Sequence, residues 1–134
     1  MYKSETTVRV RYGETDKMGV VYHANFIPYF ELGRTDALRS MGLSYKEFEA
    51  AGIIMPVIEV GIKYHKPAYY DDELIIVTKI TQMPSVKMHF EFEIYREDLL
   101  LVTGKVSLAN LDAKTSRPVK APEQLLAFLR PFLD

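Results

Sequence analysis

Phe26 to Gly42 reads FIPYFELGRTDALRSMG, and the reading of this stretch decides the fold. Phe26, Phe30, Gly33, Ala37 and Met41 recur at three- and four-residue spacing, which puts them on one face of a helix. Asn25 is placed to cap the start, Pro28 is tolerated in a first turn, and Gly42 suits the position just past the end. The spacing therefore predicts a helix from about Phe26 to Met41. Gly33 costs about 1 kcal/mol against alanine in a helix interior. Close approach to a packed surface is the expected compensation, so the helix is expected to lie against a sheet.

Working outward, Glu5 to Tyr12 alternates Thr7, Arg9 and Arg11 with Val8, Val10 and Tyr12, the pattern of a half-buried strand. Gly13 to Val21 carries two glycines and three charged residues and reads as a loop. Beyond the long helix, Ser44 and Glu47 form a capping box for a short helix, Tyr45 to Ala51, closed by Gly52. Strand character follows in Ile54–Lys66, Leu74–Thr81, Val86–Tyr95 and Leu99–Asn110. The last three, joined by short turns, predict an antiparallel meander. Pro122 opens a terminal helix, Glu123 to Leu129, which Pro131 is expected to end. The order predicts an α+β fold, one helix wrapped by an antiparallel sheet of about five strands, in a single domain over residues 1–134. Apolar runs in Leu74–Thr81 and Leu99–Asn110 exceed what one helix covers, which favours an oligomer.

Composition narrows the chemistry. The 134 residues are 48% hydrophobic and 26% charged, with a net charge of -1, so no global pull toward nucleic acid or anionic membrane is expected. The absence of cysteine excludes thiolate catalysis, disulfides and Cys-based metal sites. No apolar run approaches the roughly 20 residues of a membrane span. MYKSETTVRV lacks the apolar core of a secretory signal, and a cytoplasmic location is expected.

One carboxylate stands out. Asp16 lies in the polar loop seven positions before His23 and just ahead of the helix start at Asn25. A carboxylate facing the N–H groups of a helix start has the two parts needed to attack a polarised carbonyl: one attacks or activates water, the other stabilises the oxyanion. A lone Asp in such a loop more often makes local turn hydrogen bonds. His23 is open between a side-chain role, as donor or leaving-group acid, and a backbone role through its N–H. His65 and His89 fall in strand patterns. No H-E-x-x-H or paired-His spacing is present, so no metal site is expected. Glu31 on the long helix is a lesser candidate, with Arg34 as its ready partner. Among the aromatics at the helix start, Tyr22 and Tyr29 are the expected pocket members, and Phe26 and Phe30 are expected in the core.

RYGETDKMGVVYHANF (Arg11–Phe26), KYHKPAYYDDEL (Lys63–Leu74) and LDAKTSRPVKAPEQL (Leu111–Leu125) together resemble the hotdog-fold acyl-CoA thioesterases of the 4-hydroxybenzoyl-CoA thioesterase type. Within them the chain is most similar to the Tol-Pal-associated branch of small bacterial acyl-CoA thioesterases. The resemblance implies a hotdog fold and a dimer with a continuous sheet, often paired into a homotetramer, with sites at the interface. It implies hydrolysis of a coenzyme A thioester without metal or prosthetic group. Asp16 takes the place of the catalytic nucleophile or general base, and the N–H groups of His23 and Ala24 polarise the carbonyl. Tyr12 and Asn25 become positioning groups. Met55, Pro56 and Val57 match a segment that lines the acyl or pantetheine side. The chain departs from relatives whose turn between the third and fourth strands is rich in arginine and lysine. Met83-Pro84-Ser85-Val86-Lys87 keeps only Lys87 for coenzyme A phosphates, leaving Lys63, Lys66 or Arg117 of another subunit as substitutes. Two competing expectations are a hotdog enoyl-thioester hydratase or dehydratase, and a non-catalytic module binding acyl-CoA or an acyl-carrier protein.

Overall fold

The computed structural model describes residues 1–133. Its elements are β1 (Tyr2–Arg9), α1 (Phe26–Ser40), α2 (Tyr45–Ala50), β2 (Ile53–Ile54), β3 (Val57–Tyr64), β4 (Glu73–Ile80), β5 (Lys87–Arg96), β6 (Leu99–Ala109), β7 (Leu111–Asp112) and α3 (Glu123–Leu129). Five strands form one antiparallel sheet in the order β1-β4-β5-β6-β3, and β2 pairs with β7 separately. The β4-β5-β6 meander is present as the turn spacing predicts. This is a hotdog fold, a sheet wrapped around α1.

The sheet grips the helix through two glycines. A Cβ on Gly33 of α1 would lie 2.5 Å from Thr78 Oγ1 and 2.9 Å from Ile76 Cγ2, so the helix backbone rests directly on β4. Gly104 of β6 leaves room for the Phe30 ring, which stacks on Phe92 with centroids 4.5 Å apart. Phe30, Ala37 and Leu38 are fully buried against Leu74, Ile76, Phe90, Phe92 and Ile94 of the inner sheet face. The opposite face is charged and includes the Lys79–Glu93 pair at 2.6 Å. Ser44 caps α2 by accepting the Glu47 N–H.

Several local expectations give way to longer-range contacts. β1 ends at Arg9, and Tyr12–Glu14 forms a 3-10 turn instead of strand. The cause is competition: Val10 N–H bonds to Asp72 O, and the Glu14 carboxylate takes the Arg11 N–H at 2.8 Å. Asn25 does not cap α1. Its backbone is already helical, and its side chain donates to Glu14 O at 2.8 Å. Ile54–Lys66 is not one strand. It breaks at Pro56, which has no N–H, so β2 pairs with β7 while β3 turns to β6. Arg34 is buried and donates to the Tyr45 hydroxyl at 3.0 Å rather than pairing with exposed Glu31. Pro131 sits within a 3-10 turn, Arg130–Phe132, that continues past α3.

Candidate functional site

The Asp16 loop is built as a small hairpin. Thr15 pairs with Val21, Asp16 N–H donates to Val20 O, and Gly19 N–H returns to Asp16 O at 3.0 Å. Gly19 has φ +83°, which only glycine adopts without strain in so tight a return. Asp16 Oδ1 accepts the Met18 N–H at 2.8 Å. Oδ2 has no hydrogen-bond partner among the described residues, so the carboxylate keeps a free oxygen. The loop is fastened to the segment after β3, with Val21 N–H on Ala68 O at 2.8 Å and Val20 bridged to Tyr69.

A 3-10 turn, His23–Asn25, leads into α1. Among the described residues neither the His23 nor the Ala24 N–H has a hydrogen-bond partner, as the first donors of a helical run lack carbonyls behind them. The His23 imidazole packs beside Tyr22, centroids 4.3 Å apart, and edge-on to Tyr64 at 6.4 Å. It makes no hydrogen bond among the described residues.

Loop and turn are locked together by Glu14. Its carbonyl accepts Tyr22 N–H and the Asn25 side chain. Its carboxylate accepts the Tyr29 hydroxyl at 2.9 Å and both the N–H and the guanidinium of Arg11. Burial raises the Glu14 pKa, but the Arg11 N–H, Tyr29 and the Arg11 charge outweigh it, and the carboxyl is held below its ordinary value. Burial first, then the Glu14 carboxylate, pushes the Tyr29 phenol up.

Asp16 and His23 line one cleft of about 300 Å³, with Met18, Phe26, Tyr64 and Lys66 among the other lining residues. The remaining sequence candidates lie elsewhere. Tyr29 is buried on Glu14 instead of lining the cleft. Tyr12 is exposed and packs edge-on to Tyr70. Tyr22 flanks His23 outside the lining. Met55, Pro56, Val57 and Lys87 sit at the far end of the sheet, where Val57 pairs with Leu108 and Lys87 with Ala109. Seven residue steps along β3 separate Val57 from Tyr64, about 23 Å. One subunit therefore does not bring that segment to Asp16. Of the substitute cations, Lys66 is in the cleft, Lys63 lines a groove on the outer sheet face, and Arg117 lies in the bend after β7. That groove is larger, about 450 Å³. It is lined by three lysines and two glutamates beside Ile62, Phe92, Thr103 and two glycines. Lys79 and Glu93 neutralise each other, and Asp16, His23 and their loop lie outside it. The cleft is the better chemical site.

Sequence patterns do not single out Glu14 or Tyr64, and they offer Lys66 only as a cation for coenzyme A phosphates, supplied by another subunit. Glu14 and Tyr64 bond to residues far along the chain, which no local pattern signals. The available pointers are the resemblances of Arg11–Phe26, which contains Glu14, and of Lys63–Leu74, which contains Tyr64. No group of three or more His, Cys, Asp or Glu among the described residues can hold a metal ion, and no described helix is long and apolar enough to cross a membrane.

Comparison with known proteins places this geometry. Residues 10–129 match the model of the thioesterase-like superfamily. YneP of Bacillus subtilis, provisionally named an acyl-CoA thioesterase, is 37% identical over 90% of this chain and 88% of its own. The acyl-CoA thioester hydrolase YbgC of Escherichia coli O157:H7 is 34% identical over 90% of each chain. The solved DHNA-CoA thioesterase of Staphylococcus aureus superposes with a TM-score of 0.85 at 33% identity, covering 90% of this chain and 81% of that one. By its cleft, its fold and these matches, the chain belongs to the thioesterase-like superfamily.

Proposed function

We propose that this protein hydrolyses acyl-CoA thioesters to the free acid and coenzyme A. The observation that carries the reading is the half-free Asp16 carboxylate in a cleft also lined by His23, the first residue of a turn whose His23 and Ala24 N–H groups have no hydrogen-bond partner among the described residues. The names of YneP, YbgC and the S. aureus enzyme support the substrate class. A thioester carbonyl has weak resonance with sulfur, so one carboxylate and a polarising N–H pair suffice. The carbonyl oxygen takes the His23 and Ala24 N–H groups, which stabilise its developing charge. Asp16 either attacks the carbonyl carbon or takes a proton from an attacking water. In the first route the acyl–sulfur bond breaks, coenzyme A leaves as thiolate and takes a proton, and water then cleaves the acyl–Asp16 anhydride. In the second, water oxygen enters the acid directly. His23 is assigned its backbone role, through the N–H that has no hydrogen-bond partner among the described residues.

The site is completed by a second copy. β3 is an unpaired edge strand, and Val57, Ile58 and Val60 on it are exposed, an edge that invites pairing. Antiparallel pairing centred on Val60 and Gly61 sets Val57 of one copy opposite Tyr64 of the other. Met55, Pro56 and Val57 then reach the cleft across the interface, whereas Lys87 stays two strands in from that edge, on β5. Two such dimers pairing through the charged outer face would form the homotetramer.

The test is thiol release from a panel of short, long and aromatic acyl-CoAs by wild type and Asp16→Asn. Loss of about 10²-fold or more in kcat, with oligomer size unchanged, is expected. Equal rates in both would remove Asp16 from the reaction.

A further inference from the structure

Beyond the loop and turn, one side chain reaches into the backbone of the oxyanion turn. Tyr64, the last residue of β3, donates its hydroxyl to the His23 carbonyl at 2.9 Å. That carbonyl and the Ala24 N–H belong to the same peptide unit. The unit is planar, so fixing its oxygen fixes the direction of its N–H. A hydrogen bond at the oxygen also polarises the unit and makes the N–H a stronger donor. The phenol is itself held in place, with its ring edge-on to Phe26 at 5.8 Å and to His23 at 6.4 Å. It lines the same cleft as Asp16 and His23. Burial pushes the Tyr64 phenol up, so it stays protonated as a donor at neutral pH.

We propose that Tyr64 is a positioning residue of the hydrolytic site, its hydroxyl orienting and polarising the His23–Ala24 peptide so that the Ala24 N–H receives the oxyanion. The inference rests on the thioesterase reading and deepens it. Tyr64 acts through the backbone and touches no reacting atom. Its effect belongs to the transition state, where the carbonyl oxygen carries most charge, and so falls on kcat rather than KM. Removing an oxyanion donor outright costs about 10²–10³ in kcat. Tyr64→Phe leaves the donor in place but unaligned, so a loss of about 10-fold is expected.

The experiment uses the full chain. Tyr64→Phe keeps the ring and removes only the hydroxyl. Its kcat and KM are measured on the best acyl-CoA of the panel, alongside thermal midpoint and oligomer mass. Isotope-edited infrared spectra of the bound thioester carbonyl are then compared in Asp16→Asn and Asp16→Asn/Tyr64→Phe. The expected result is a kcat about 10-fold lower at unchanged KM, midpoint and mass, with the bound carbonyl stretch moved to higher frequency. A wild-type kcat with an unmoved carbonyl stretch would overturn the proposal. So would a kcat that falls only in step with midpoint or mass, which would make the role structural. The two readings fail separately: an active Asp16→Asn sinks the Asp16 mechanism, whereas an inactive Asp16→Asn beside a fully active Tyr64→Phe sinks only the Tyr64 assignment.

Discussion

Gly104→Ala tests how tightly the sheet is fitted to the helix. A Cβ at Gly104 would sit 2.3 Å from Phe30 Cζ and 2.5 Å from Cε2. The ring has nowhere to retreat, since Phe30 has no exposed surface and Phe92 lies stacked against it at 4.5 Å. Either Phe92 moves or α1 lifts from β6. Such overpacking costs about 1–3 kcal/mol. Against it stands the smaller backbone entropy loss of alanine, about 0.5–1 kcal/mol. Overpacking wins, and a net destabilisation of about 1–2 kcal/mol is expected. For a chain of this size that lowers the thermal midpoint by about 3–8 °C. Urea unfolding of four proteins checks the cause: wild type, Gly104→Ala, Phe30→Leu and the double variant. Phe30→Leu alone opens space and costs about 1–3 kcal/mol. In the double variant the new methyl occupies part of that space, so the pair should be more stable than the sum of the singles by about 1 kcal/mol. An unchanged midpoint for Gly104→Ala, or strict additivity in the double variant, would refute the argument.

Two further outcomes follow from the local chemistry. The Glu14 carboxyl is held below its ordinary value of 4.5, so its stabilising contribution is full above that pH and fades as pH falls through the lower folded value. Glu14→Gln should therefore be clearly less stable than wild type in urea at pH 7, and the gap should narrow in acid; a gap independent of pH would count against the Tyr29–Glu14–Arg11 lock. Ser44→Ala removes the acceptor for the Glu47 N–H and should cost about 1 kcal/mol in urea unfolding with kcat unchanged, because α2 lies away from the cleft.

Much of the fold was legible because its signals are local. The three- and four-residue recurrence from Phe26 to Met41 predicts α1 to within a residue, and the misfit of Gly33 in a helix predicts the close contact found on Ile76 and Thr78. Turn residues delimit β4, β5 and β6 because hairpin geometry is set by the few residues in the turn. The misreadings have one physical origin. Asn25 has the chemistry of a cap, Arg34 the spacing of an ion pair with Glu31, and Tyr12 the alternation of a strand. Each was claimed instead by a contact that sequence spacing does not encode: Glu14 O, the Tyr45 hydroxyl, and the turn set up by Asp72 and Glu14.

By itself the sequence determined the helix, the meander and the stretch holding Asp16 and His23, since helix and strand periods and turn chemistry act over a few neighbouring residues. Only the tertiary structure decided which groups share the cleft. Tyr64 meets His23 across 41 positions, and Val20 meets Tyr69 only because β1 and β4 pair beside them. It also decided that Val57 and Lys87 stand at the wrong end of the sheet to meet Asp16 within one subunit. Register and strand order set these distances, and both are fixed by packing the whole sheet against α1.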